Sequence, residues 1–187
     1  IALFKKRLIY FISIYFFLCL NVFGNQKENI INQINNLNSV EFSFNQISNN
    51  KTEQGNCLLE FPGKLKCNYY DKKQKELIIN KKILAITQKK YNKTYFYPIS
   101  KSPFMNILYK DKLLKAIKEG TLKTATNDFQ LIYKGKNEII VLFDKKSFQL
   151  SGWKIIDQYN NRITFELKIT AKNSIFQKNT FKIPSAN

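Results

Sequence analysis

The feature that most constrains this chain is a pattern repeated along it: short runs in which apolar and polar side chains alternate, separated by small polar breaks. Val40, Phe42 and Phe44 alternate with Glu41, Ser43 and Asn45. A period of two puts alternate side chains on opposite faces, so the run predicts a half-buried strand. The same reading predicts strands over Glu53–Phe61 and Lys64–Tyr70, which flank Pro62-Gly63, and over Lys75–Asn80 and Ile83–Gln88, joined at Asn80-Lys81-Lys82. Further strands are predicted over Lys93–Tyr97, Phe129–Tyr133, Ile139–Phe143, Phe148–Asp157 and Ile163–Ala171, with turns at Asn49-Asn50 and Tyr159-Asn160-Asn161. Strands joined by such short turns pair antiparallel. A meander of this length twists and curls into a barrel or half-barrel.

Two stretches follow a helical period instead. Ile30, Ile31, Ile34 and Leu37 share one face of a helix over Asn25–Asn38. After Pro98, Ser102-Pro103 has the form of a helix start. Phe104, Ile107 and Leu108, then Leu113, Leu114 and Ile117, recur at helical spacing, and Gly120 ends the run. Helices apolar on one face must cover apolar surface, and the mouth of the curled sheet offers it. The expected fold is mainly β with an α lid: an incomplete antiparallel β-barrel of about ten to eleven strands, covered by short helices and enclosing a hydrophobic cavity.

The first residues read differently. Lys5, Lys6 and Arg7 precede an apolar run over Leu8–Leu20, then Val22, Phe23 and Gly24, and the chain turns polar at Asn25. That order is the order of a secretory signal peptide, with Val22 and Gly24 at the −3 and −1 positions of cleavage. The apolar run is short for a membrane span, which needs about 20 residues. Cys19 follows Leu18, not the small residue that a lipid-attachment site wants, so a lipid anchor is not expected. The chain opens on Ile1, so its true start is expected upstream. Residues 1–24 are thus expected to direct export to the periplasm and be removed, leaving one domain over 25–187.

Cys57 and Cys67 then remain, each five residues from Pro62. Opposite each other across a hairpin in an oxidising compartment, they read either as a disulfide or as two free buried thiols.

The chemistry of catalysis is thin. The chain has no histidine, the commonest general base and metal ligand. Its 13 acidic residues are scattered, two cysteines make no zinc set, and there is no phosphate loop or nucleophile elbow. An enzyme is not expected, nor a metal or cofactor. The net charge of +18 would suit nucleic acid, but the lysines are spread over the whole chain and an exported protein seldom meets nucleic acid. A basic surface also suits an approach to anionic membranes. The excess is instead in aromatic and aliphatic residues, with 16 Phe and 10 Tyr.

In this setting Val40-Glu41-Phe42-Ser43-Phe44-Asn45-Gln46, the stretch from Gly55-Asn56-Cys57-Leu58 to Phe61-Pro62-Gly63-Lys64-Leu65-Lys66, Ser102-Pro103-Phe104 with its apolar helix, and Leu150–Asp157 followed by Asn160 and Ile163–Leu167 resemble, in that order, the motifs of the periplasmic outer-membrane lipoprotein carriers, the LolA family. Asn173 and the closing Phe181–Pro184 fit as well. The resemblance runs from about Ile30 to Pro184. It implies a non-catalytic periplasmic chaperone, expected to be monomeric. Its partners would be lipoprotein acyl chains and an inner-membrane lipoprotein-releasing ABC complex as donor, with an outer-membrane acceptor left open. The cavity lining expected from alternation and resemblance together is Phe42, Phe44, Leu58, Leu65 and Phe96 from strands, Phe104, Leu108, Leu114 and Ile117 from the lid, and Trp153 and Phe165. The family's arginine before the turn proline is Phe61 here, and its strand aromatic is Cys67. The arginine's part in holding the lid and handing on cargo therefore does not carry over, to Phe61 or to Lys66. The alternative from another class is a cell-envelope adaptor, or another lipid-binding protein, that keeps the curled sheet.

Overall fold

A computed structural model describes residues 26–49, 51–100, 104–135, 138–156 and 161–185. The segment 1–24, Asn50, Ser102-Pro103, and Tyr159 and Asn160 of the last predicted turn lie outside them. Helix α1 covers 26–35. Strands β1 (Ser39–Ser48), β2 (Lys51–Glu60), β3 (Lys64–Tyr69), β4 (Lys75–Asn80), β5 (Ile83–Gln88) and β6 (Lys93–Pro98) follow. Helices α2 (Met105–Leu108) and α3 (Lys110–Glu119) interrupt them, and β7 (Thr121–Thr124), β8 (Asp128–Lys134), β9 (Glu138–Asp144), β10 (Leu150–Ile156) and β11 (Arg162–Lys172) complete the sheet.

All eleven strands form one antiparallel sheet in the order β6-β5-β4-β3-β2-β1-β11-β10-β9-β8-β7. Strand β11 returns beside β1, so the two halves of the meander join at their first and last strands. Strands β6 and β7 are consecutive in sequence yet sit at opposite edges, and the α2–α3 segment connects them. In a closed barrel those edges would pair; here β6 and β7 do not, and the barrel is incomplete.

Register sorts the side chains onto two faces. Val40 opposes Leu59, Phe42 opposes Cys57, and Leu59 and Cys57 oppose Leu65 and Cys67. On the other half, Gln46, Phe165, Trp153, Val141 and Leu131 follow one another across strands. This face and the apolar sides of α1, α2 and α3 form one buried cluster. Helix α1 runs antiparallel to α3: Lys27 Nζ donates to the carbonyls of Lys118 (3.1 Å) and Gly120 (2.7 Å), and Lys110 Nζ donates to Asn35 O at 3.2 Å. Lys27 thereby satisfies carbonyls that the end of α3 leaves unpaired, where a cation is also favoured by the helix dipole.

The chain after β11 crosses the outer face. Ser39 Oγ donates to Ser174 O at 2.7 Å and Asn80 Nδ2 to Phe181 O at 3.1 Å. Phe181 is buried there, edge-on to Phe176. Three sequence expectations differ from this. Strand β7, only four residues and mostly exposed, carries no alternation to reveal it. Phe148 falls in a turn with φ of 58°, and β10 begins only at Leu150. Helix α3 starts at Lys110, and a break at Tyr109 separates it from α2.

Candidate functional site

The covered face has an aromatic floor. Trp153 lies at its centre, stacked on Phe165 with centroids 4.9 Å apart and planes 18° apart. Phe42 meets Trp153 edge-on at 6.3 Å, and Phe104, just before α2, meets it at 5.4 Å. Phe165 continues to Phe44 at 5.0 Å, and Phe44 to Tyr69 at 5.0 Å. Gly55 makes room for this row: a Cβ there would stand 2.8 Å from the Phe44 ring and 2.1 Å from Asn68 O. Tyr69 is buried, which pushes its hydroxyl well above its ordinary range, and the nearby carboxylates of Glu53 and Asp71 add to the shift. It therefore stays protonated and donates to Gln46 Oε1 at 2.7 Å. Trp153 is 1% exposed, yet its indole N–H has no acceptor among the described residues. A donor left so costs about 1–3 kcal/mol, and most buried donors avoid it.

The lid rests directly on this floor. Ile107, Leu108, Leu113 and Ile117 are wholly buried and Phe104 and Leu114 partly so, and all pack in the same cluster. Side chains with no water-accessible area border no water-sized void, so helices and floor are in contact. A surface depression of about 370 Å³ lies elsewhere, where α3 meets β7 and β8, and is lined by Glu119, Gly120, Thr121, Ile132, Tyr133 and Lys134. Its polar, open setting and its distance from the aromatic floor make it a poor lipid site.

The lid is clamped to the β2–β3 turn. Gly63 N–H donates to Leu108 O and Lys81 N–H to Gly63 O, both at 2.7 Å. Gly63 has φ of 72°, and a Cβ there would fall 2.7 Å from the Tyr109 hydroxyl. Phe61 packs on the core cluster with Lys110 Nζ 5.8 Å from its ring centre, a cation–π distance. Lys66 lies on the outer face, paired with Glu76 at 3.4 Å.

Of the residues expected to line a cavity, the structure brings together Phe42, Phe44, Leu65, Phe104, Leu108, Leu114, Ile117, Trp153 and Phe165. It does not bring Leu58 or Phe96 to them. Leu58 opposes Glu41 and Lys66 on the outer face, and Phe96 opposes Ala85 there at the sheet edge. Both stand one residue out of step with the buried set, and each follows or precedes another apolar residue that blurs the alternation. Leu59, Val141 and Leu131 of the covered face and Leu113 of the lid belong to the same cluster and were legible in the same periodicity. Cys57 and Cys67 oppose each other on it with sulfurs bonded at 1.99 Å.

The family model of the outer membrane lipoprotein carrier protein LolA matches residues 35–184. The chain belongs to the LolA family. Among solved structures, an uncharacterized conserved protein from Thermus thermophilus shares the fold at a TM-score of 0.51 and 7% identity, over 84% of this chain and 93% of that one. A LolA-superfamily protein from Nitrosomonas europaea matches at 0.43 and 5% identity, over 83% and 97%. The lipoprotein LppX of Mycobacterium tuberculosis matches at 0.45 and 9%, over 81% and 96%. No curated protein sequence matches the chain. In this LolA-family chain the lid is held to the β2–β3 turn at Gly63 and Phe61.

Proposed function

We propose that this LolA-family protein is a periplasmic carrier that takes the acyl chains of lipoproteins onto the floor around Trp153, beneath α2 and α3. The observation that carries the reading is the buried indole N–H, without an acceptor among the described residues, in the middle of a mostly apolar face. An ester or amide carbonyl at the head of an acyl chain supplies the acceptor it lacks, while the chain lies along Phe42, Phe44 and Phe165. The sequence of residues 1–24 supports export. The donor in this reading is an inner-membrane lipoprotein-releasing ABC complex, and the destination is the outer membrane.

Magnitudes support an exchange rather than a trap. A 16-carbon chain buries roughly 12 kcal/mol at about 0.8 kcal/mol per CH₂. To admit it, Ile107, Leu108, Leu113 and Ile117 must leave the floor, at about 1.5–3 kcal/mol each. The two sums are of the same order, so net affinity is modest and cargo can be handed on without ATP or cofactor. The closed packing also suits a cell-envelope adaptor whose sheet is filled for good, and one experiment separates the two.

Trp153 is the only tryptophan, so its emission reports on the floor alone. A diacylglyceryl lipid brominated along its chains should quench it, and lipoproteins should co-purify from periplasm by mass spectrometry. Absence of both would leave the adaptor. Trp153→Phe keeps the stacking and removes the N–H; affinity for acyl esters, read by a bound dye, should fall about tenfold.

A further inference from the structure

Among the described residues, five of the nine large apolar side chains exposed to solvent lie together at one place on this protein. Ile83, Tyr91, Tyr95, Phe96 and Tyr97 are each between 39% and 51% exposed, and all belong to β5, β6 or the 3-10 turn Lys89–Tyr91 between them. Monomeric proteins rarely leave such patches without a use. Strand β6 is an edge, so this patch runs along a rim of the sheet rather than across a face. Tyr95 and Tyr97 continue the covered side, through Ile86 and Leu84, while Phe96 and Ile83 lie on the outer side.

The charge around it has one sign. From Leu77 to Lys110 the sequence has no acidic residue and seven lysines. Lys81, Lys82, Lys89, Lys90 and Lys93 are exposed. Exposed Lys72 and Lys73 join them, because Lys90 N–H donates to Lys73 O. The neighbouring carboxylates are already engaged: Glu76 by Lys66 and Lys89, Glu53 by Lys75, and Asp71 by the backbone N–H of Lys75. Lys90 Nζ stands 5.8 Å from the Tyr91 ring centre, cation beside aromatic.

We propose that the β5–β6 edge is a docking face for an anionic membrane surface. Tyrosine and phenylalanine beside lysine is the composition that sits at headgroup level, and each lysine near an anionic leaflet contributes to attraction. The open backbone edge of β6 limits the depth: its free N–H and C=O groups tolerate the wet headgroup zone but not hydrocarbon. A second protein strand added to β6 is the competing use of an edge, but it would stack lysine against whatever it met and leave the aromatics half used. The inference stands on this edge alone and does not need acyl chains to bind at Trp153.

The test is flotation of the exported protein with vesicles of phosphatidylcholine, with or without one quarter phosphatidylglycerol. Binding is expected to the anionic vesicles and to weaken with salt. The double variant Lys90→Glu/Lys93→Glu should lower partitioning at least about tenfold, and Tyr91→Ser/Ile83→Ser should lower it too. Unchanged Trp153 emission certifies the fold of each variant, and quenching by brominated lipid monitors the floor separately. Equal binding to both vesicle types, variants that bind like the parent, or self-association through β6 without vesicle binding would each overturn the proposal.

Discussion

Phe61 stands just before the turn proline, and its surroundings show how the lid is held there. The turn holds the lid by a backbone bond from Gly63 to Leu108, by contact of Tyr109 with the bare Gly63 Cα, and by Lys110 over the Phe61 ring. Gly63→Ala places a Cβ at φ of 72° and against Tyr109; it should cost about 1–3 kcal/mol in denaturant unfolding and speed dye uptake by loosening the clamp. Asp144 offers a separate residue-level test. Its Oδ1 accepts from the backbone N–H and hydroxyl of Ser147, each at 2.7 Å, and from Lys146 N–H at 3.1 Å. The Ser147 bonds chiefly hold its carboxyl below the ordinary 3.8. A carboxylate depressed in the folded state stabilises above its unfolded pKa and loses that contribution as pH falls through the folded value. Asp144→Asn should therefore be less stable than the parent at neutral pH, and the gap should close only below pH 3.8; a gap constant with pH would contradict this.

At the scale of elements, the β2–β3 hairpin joins floor, clamp and crosslink. Reduction of Cys57–Cys67, or replacement of both by Ala, should lower stability by about 2–3 kcal/mol for a loop this short, read as a shift in the urea midpoint; no shift with reductant would mean the thiols stay free. Most elements were legible because a half-buried strand writes its burial as alternation, as Val40, Phe42 and Phe44 do, and Ile30, Ile34 and Leu37 write theirs as a helical stripe. What escaped lacked that record. Strand β7 sets only Leu122 against the core and leaves its other three residues exposed, so Thr121-Leu122-Lys123-Thr124 has almost nothing to alternate. Leu58 sits beside Leu59, and Phe96 between two tyrosines, so composition could not say which of the neighbours faces in; only register with Lys66 and Ala85 does. The clamp was invisible too, because its Gly63–Leu108 bond joins backbone atoms and its Tyr109 contact depends on a missing Cβ.

For the whole molecule, the decisive feature is one sheet whose two halves join at β1 and β11 while its ends are tied by residues 99–120. The chain is thus a loop drawn shut by its lid, like a bag by its cord. A cord cannot slacken at one end only: lifting α2 and α3 off the floor must relieve or strain β6 and β7 together, although nine strands lie between them. Amide hydrogen exchange at both edges is expected to change in concert when a lipid occupies the floor, and a change confined to β6 would show that the lid hinges there. Cargo held beneath the helices would then be sensed at the rim, without any contact between ligand and edge.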